Sequence, residues 1–141
     1  MKFNMLTYAL VASLCLSQPL FGAEGDKKDS PLAKQMDEMN DAYKAIKKET
    51  DPVKGAALAR TAQDALIKSL AEVPELVAKG PEGEKPKMVA SFRTMIGKAF
   101  VTFSEIEEAF IAKDLEKVKT LLEQAREQKK TAHDKFVEDD A

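Results

Sequence analysis

The chain has no tryptophan, two tyrosines, one histidine and one cysteine. β-Branched residues are also thin, which leaves little material for a sheet. The lone Cys15 lies in an apolar run near the start, with Leu14 before it where a lipid-modified cysteine needs a small residue. Removal of that run would leave a chain without thiols, disulfides or a Cys-x-x-Cys-His site for covalent haem. One histidine and no remaining cysteine give no support to Ser-His or Cys-His nucleophiles. There is no Gly-rich phosphate loop and no Glu-x-x-His pair of the kind that builds di-iron bundles. No basic stripe or aromatic platform is present, which argues against nucleic acid as a partner. The sequence predicts no enzyme.

What is abundant is helix-forming. Ala, Glu, Lys, Leu and Arg supply 69 of the 141 residues, a bias typical of long helices packed on one another. Hydrophobic residues make up 44%, ample for a core. Met1-Lys2-Phe3-Asn4 begins with a positive charge, the uncharged run Met5 to Leu16 follows, and Pro19 and Gly22-Ala23 close the segment. That order predicts a secretory signal peptide over residues 1–23, too short to span a bilayer comfortably, and a periplasmic destination. The remainder carries 21 basic and 24 acidic side chains, both signs interspersed, with no second apolar run. It is expected to be soluble, free of the membrane and monomeric.

Residues 24–29 are polar and charged and predict a flexible lead-in. Residues 30–138 predict one all-α domain whose punctuation is clear. Ser30-Pro31 and Asp51-Pro52 each offer a capping side chain followed by a proline that the first helical position tolerates. Leu32, Met36, Met39, Tyr43 and Ile46 recur at steps of four and three, forming one stripe. A second stripe, Val53, Ala56, Ala59, Leu66, Leu70 and Val73, is interrupted by Gln63 and ended by Pro74. Residues 75–85 hold Gly80, Pro81 and Gly83 and predict an irregular connection. Phe92, Ile96, Ala99, Phe103, Ile106 and Phe110 follow over about Pro86 to Ala112. Gly97 within that run costs about 1 kcal/mol relative to alanine, which suggests close approach of a neighbouring helix or room for a flat ligand. Asp114 caps the last helix, with Leu115, Val118, Leu122, Ala125, Lys129, His133 and Phe136 in line. Four helices of roughly 30 Å with mostly short connections predict an antiparallel up-down-up-down four-helix bundle.

In that topology the start of the first helix and the end of the last are neighbours. Met36 stands about 9 Å into the first helix, and His133 lies some 6–8 Å from the end of the last. The two are expected to face one another. A thioether and an imidazole together are a known axial pair for haem iron, and the pair raises the reduction potential. The competing reading makes Met36 a flexible core filler and His133 a boundary residue.

Gln35-Met36-Asp37-Glu38-Met39-Asn40-Asp41, followed by Tyr43, Lys44 and Ile46, resembles the first helix of the cytochrome b562 family. Lys117-Val118-Lys119 and Thr131-Ala132-His133-Asp134-Lys135-Phe136 are similar to its last helix, and Val73-Pro74 to its middle loop. The resemblance implies a small periplasmic electron-transfer protein that binds haem b without covalent links. It places the axial ligands at Met36 and His133, lines the pocket with Met39 and closes it with Pro74. Phe92 or Met95 would pack on the macrocycle, since the third helix fits the family at two offsets, and Lys129 would reach a propionate. The last helix needs a compensating shift before His133, and Lys129-Lys130 make it more charged than the family. Two other readings stay open: a cofactor-free periplasmic bundle that binds a protein or peptide, and a copper site built from Met36, Met39 and His133.

Overall fold

A computed structural model describes residues 30–137. The expected signal peptide and lead-in, and residue 138 of the expected domain, lie outside the described residues. Within them the chain is all helix, with no strand. The elements are α1 (Pro31–Ile46), α2 (Pro52–Ser69), α3 (Glu75–Lys79), α4 (Lys85–Ile111) and α5 (Leu115–Phe136).

The helix starts are local chemistry. Ser30 Oγ accepts from the Ala33 amide at 3.1 Å, and Asp51 Oδ1 accepts from Val53 and Lys54 at 3.0 and 2.9 Å. Asp114 Oδ1 accepts from Lys117 at 2.9 Å. Each bond satisfies an amide that has no partner within its own helix. The end of α4 is a Schellman turn: Lys113 N–H donates to the Phe110 carbonyl and Asp114 N–H to that of Ala109, both at 2.9 Å. That turn needs a left-handed residue, and Lys113 fills the place at φ 59° where glycine would be unstrained.

Two expectations from the sequence change. The connection after α2 is not wholly irregular, because residues 75–79 close one short helix, α3. Pro74 stands at its start, and the Pro74 carbonyl accepts from Val77 and Ala78 at 3.0 and 2.9 Å. The stripe of α2 also differs. Val53 is 80% exposed and Val73 is 44% exposed, while Ala56, Ala59, Ala62, Ala65 and Leu66 are buried. The face that packs is made of alanines, which a search for large apolar residues passes over.

The elements form a helical bundle in which α1 packs on α2, α2 on α4 and α4 on α5. Phe103, Phe110, Ile46, Leu66 and Ile106 are the largest fully buried apolar side chains. The alanine face lets α2 lie close to α4. At Gly55 a Cβ would stand 2.3 Å from the Phe110 ring, so only glycine leaves room there. Residues paired across the bundle change number in opposite senses. Arg60 and Gln63 meet Glu107 and Ser104, Phe92 meets Phe136 where Thr102 meets Gln124, and Asn40 meets Lys129 where Tyr43 meets Leu122. Among the described residues no helix is long and apolar enough to cross a membrane.

Candidate functional site

The seam between α1 and α5 differs from the others. Its two backbones do not pack closely along their length, and side chains span the distance. Lys129 Nζ donates to Asn40 Oδ1 at 2.6 Å. Tyr43 donates its hydroxyl to the Leu122 carbonyl at 3.5 Å, the long limit for such a bond. Burial pushes the Tyr43 phenol up from its ordinary value. The negative charge of Glu123 adds to this and the positive charge of Arg126 opposes it. The phenol therefore stays a neutral donor at physiological pH.

Met36 and Met39 lie on α1, both half-buried and packed against the core. They follow one stripe because the steps from Leu32 to Ile46 keep helical period. His133 is in the last turn of α5 and is exposed, as is Lys129 one turn earlier. Phe92 is buried on α4, and its ring meets that of Phe136 edge-on, centroids 5.5 Å apart and planes at 81°. Met95 is half-buried against the same core, and Pro74 is buried at the start of α3. The structure thus joins Phe92 to the helix turn that follows His133, and joins Lys129 to α1 through Asn40. His133 lies on α5 as expected, but in its last turn and exposed.

Four features escaped the sequence. Asn40 is the polar partner of Lys129, and its only signal is its place between Met36 and Tyr43. Gln63, which interrupts the α2 stripe, is the centre of a network. Its amide nitrogen donates to Glu107 Oε2 at 2.8 Å, and Ser104 donates to its amide oxygen at 3.2 Å. Arg60 Nε donates to Glu107 Oε1 at 2.6 Å. Burial pushes the Glu107 carboxyl up, but the hydrogen bonds from Arg60 and Gln63 and the Arg60 charge outweigh it and hold it below the usual range. Not every carboxylate faces water, then. The fourth is the surrounding of Gly97, which the sequence singled out: apart from the helix's own nearby backbone no atom lies within 4 Å of where its Cβ would be, so the close approach of a neighbouring helix is not found there.

An open groove of about 500 Å³ lies beside Gly97, between α4 and α5, and includes none of the seven site residues expected from sequence. Among the described residues no three His, Cys, Asp or Glu side chains gather to hold a metal ion. Met36 carries a soft thioether on α1 and His133 an imidazole in the last turn of α5. Phe136 of the aromatic pair follows His133 by three residues on α5, and the Lys129 ammonium precedes it by one turn.

A family model described as Cytochrome b562 matches residues 31–137. No curated protein and no solved structure matches the chain.

Proposed function

Because the chain belongs to the cytochrome b562 family, whose members bind haem b and carry electrons, we propose that it is a periplasmic electron-transfer protein. In this reading it holds haem b without covalent links, with Met36 and His133 as axial ligands of the iron. The chain is exported by residues 1–23, and the mature part is an antiparallel up-down-up-down four-helix bundle.

One observation carries the ligand assignment, the 2.6 Å bridge from Lys129 to Asn40. Met36 is four residues before Asn40, and His133 is four residues after Lys129. On helices running in opposite senses, both steps move about 6 Å toward the same end and keep nearly the same face. The second cross-link, Tyr43 to Leu122, supports the same opposed sense of the two helices. Sulfur and imidazole are thereby brought to one level on a seam whose backbones stand apart. The residues fit the group in donor chemistry as well as in register.

When bound, the haem supplies reversible one-electron transfer at its iron. The chain's own residues do the rest. The Met36 thioether is a neutral, polarisable donor that favours the reduced metal and so raises the potential. His133 presents one ring nitrogen as a donor, which requires the neutral imidazole. Phe92, with Phe136 edge-on to it, forms an apolar wall that excludes water, with Met39 and Met95 as adaptable packing beside it. Pro74 closes the pocket from the α2–α3 connection. Lys129, already positioned by Asn40, offers a cation to a propionate. None of these roles is catalytic.

An absorption spectrum of the protein from haem-supplied cells tests the proposal. A sharp Soret band with the α and β bands of six-coordinate low-spin iron after reduction is the expected result. Met36→Ala and His133→Ala should each change it. A colourless protein that ignores added hemin would leave a cofactor-free bundle, and metal analysis would reveal copper held by Met36, Met39 and His133.

A further inference from the structure

Gly97 weakens the middle of α4 without any contact inside the chain to account for it. It opens onto the groove between α4 and α5, which Thr94, Val101, Thr102, Gln124 and Gln128 also line. The groove shares no residue with the proposed haem site. Val101 is 54% exposed in it, an apolar side chain facing solvent. Gln124 and Gln128 each donate an amide nitrogen to Thr102 Oγ1 at 3.0 Å, yet the buried amide oxygen of Gln128 has no partner. A buried acceptor left unpaired is unfavourable. Lys98 and Glu105 flank the groove, and neither makes an ion pair among the described residues.

Charge along α4 indicates what could cover this groove. The basic residues of the helix, Lys85, Lys87, Arg93 and Lys98, run from its start to its middle, with Lys98 lining the groove. Its acidic residues, Glu105, Glu107 and Glu108, lie in its second half, Glu107 turned to Arg60 and Gln63 of α2 and Glu105 lining the groove. A uniformly acidic or basic partner would match one half and clash with the other. An antiparallel copy of α4 matches both.

We infer that the groove is the interface of a homodimer, in which α4 packs on α4 of a second copy across a two-fold axis near Val101. This departs from the monomer expected from sequence. A two-fold interface pairs residue i with j and j with i. With the axis at Val101, Lys98 of each copy lies beside Glu105 of the other, and Thr94 beside Glu108. The missing Cβ at Gly97 lets the two backbones approach. Both ion pairs lie at a partly solvated edge, so the association is weak and sensitive to salt.

Sedimentation of the purified chain from about 10 μM to about 1 mM tests this, since millimolar affinity is the weak limit of a specific complex. A monomer–dimer equilibrium that shifts toward monomer with added salt is expected. Lys98→Glu and Glu105→Lys should each weaken association about tenfold or more, because each change places two like-charge pairs in the interface. The double variant Lys98→Glu/Glu105→Lys exchanges the signs and should restore it. Circular dichroism of each variant checks that the helices persist. A parent chain that is monomeric throughout the range overturns the proposal and leaves the groove to a different occupant. So does a double variant that associates no better than either single one.

Discussion

The seam between α2 and α4 and the seam between α1 and α5 are built on opposite plans. The first is closed by small residues: Ala56, Ala59, Ala62 and Ala65 are buried, and Gly55 takes the edge of Phe110. Its one polar insertion, Gln63 with Ser104, Glu107 and Arg60, is hydrogen-bonded on every side that the network reaches. The second seam is spanned by long side chains. Two hydrogen bonds cross it, and His133 and Lys129 are exposed. Close packing yields stability and tolerates no guest. Separation with long, soft side chains yields less stability and leaves a place where a flat group can be held.

The contrast can be broken by substitution. Phe110→Ala, at the centre of the closed seam, should cost about 3–5 kcal/mol in chemical denaturation of the haem-free chain. A loss under 1 kcal/mol would mean that the Gly55–Phe110 contact is not the keystone described. Gly55→Ala should cost about 1–3 kcal/mol, since the added methyl enters the Phe110 ring and the buried ring has little room to move. Ordinarily an exposed Gly→Ala change in a helix stabilises, so the sign alone is informative.

Acid sharpens the comparison further. The Glu107 carboxyl is held below its ordinary range, so its contribution is fully present above about pH 4.3. That contribution disappears as pH falls through the lowered value. Melting temperatures measured down the acid limb should therefore fall less steeply in Glu107→Gln than in the parent; parallel curves would remove Glu107 from the account. The smallest effect belongs to the open seam. His133→Ala should change the stability of the haem-free chain by no more than about 0.5 kcal/mol, as for an exposed position, while altering the spectrum of the haem-loaded protein. A large loss of stability in the haem-free chain would give His133 a structural role instead.

Much of the fold was legible because it rests on local rules. The caps at Ser30, Asp51 and Asp114 and the spacing of Phe92, Ile96, Phe103 and Phe110 depend on residues within a few positions of one another. The short α3 was missed because Gly80, Pro81 and Gly83 mark the connection so strongly that one turn before them carries little signal. On α2 the sequence named Ala56 and Ala59 but missed Ala62 and Ala65 for a different reason. An alanine is apolar enough for a core and small enough for a surface, and only the neighbouring helix decides. Gln63 read as an interruption because its partners lie some 40 residues away on α4. Of the candidate site, Met36 and His133 were named from spacing and resemblance, but Asn40 was not. A bridge between α1 and α5 joins residues 89 positions apart, and no local pattern records it.

The sequence by itself determined where helices start and stop and which faces are apolar, because capping and periodicity are short-range. Tertiary structure alone decided which seam is closed by alanines and which is spanned by long side chains. It also decided that Gly97 meets no neighbour and that Lys129 is tied to α1. These depend on the distance between helix axes, which is set by the summed volumes of side chains from distant parts of the chain.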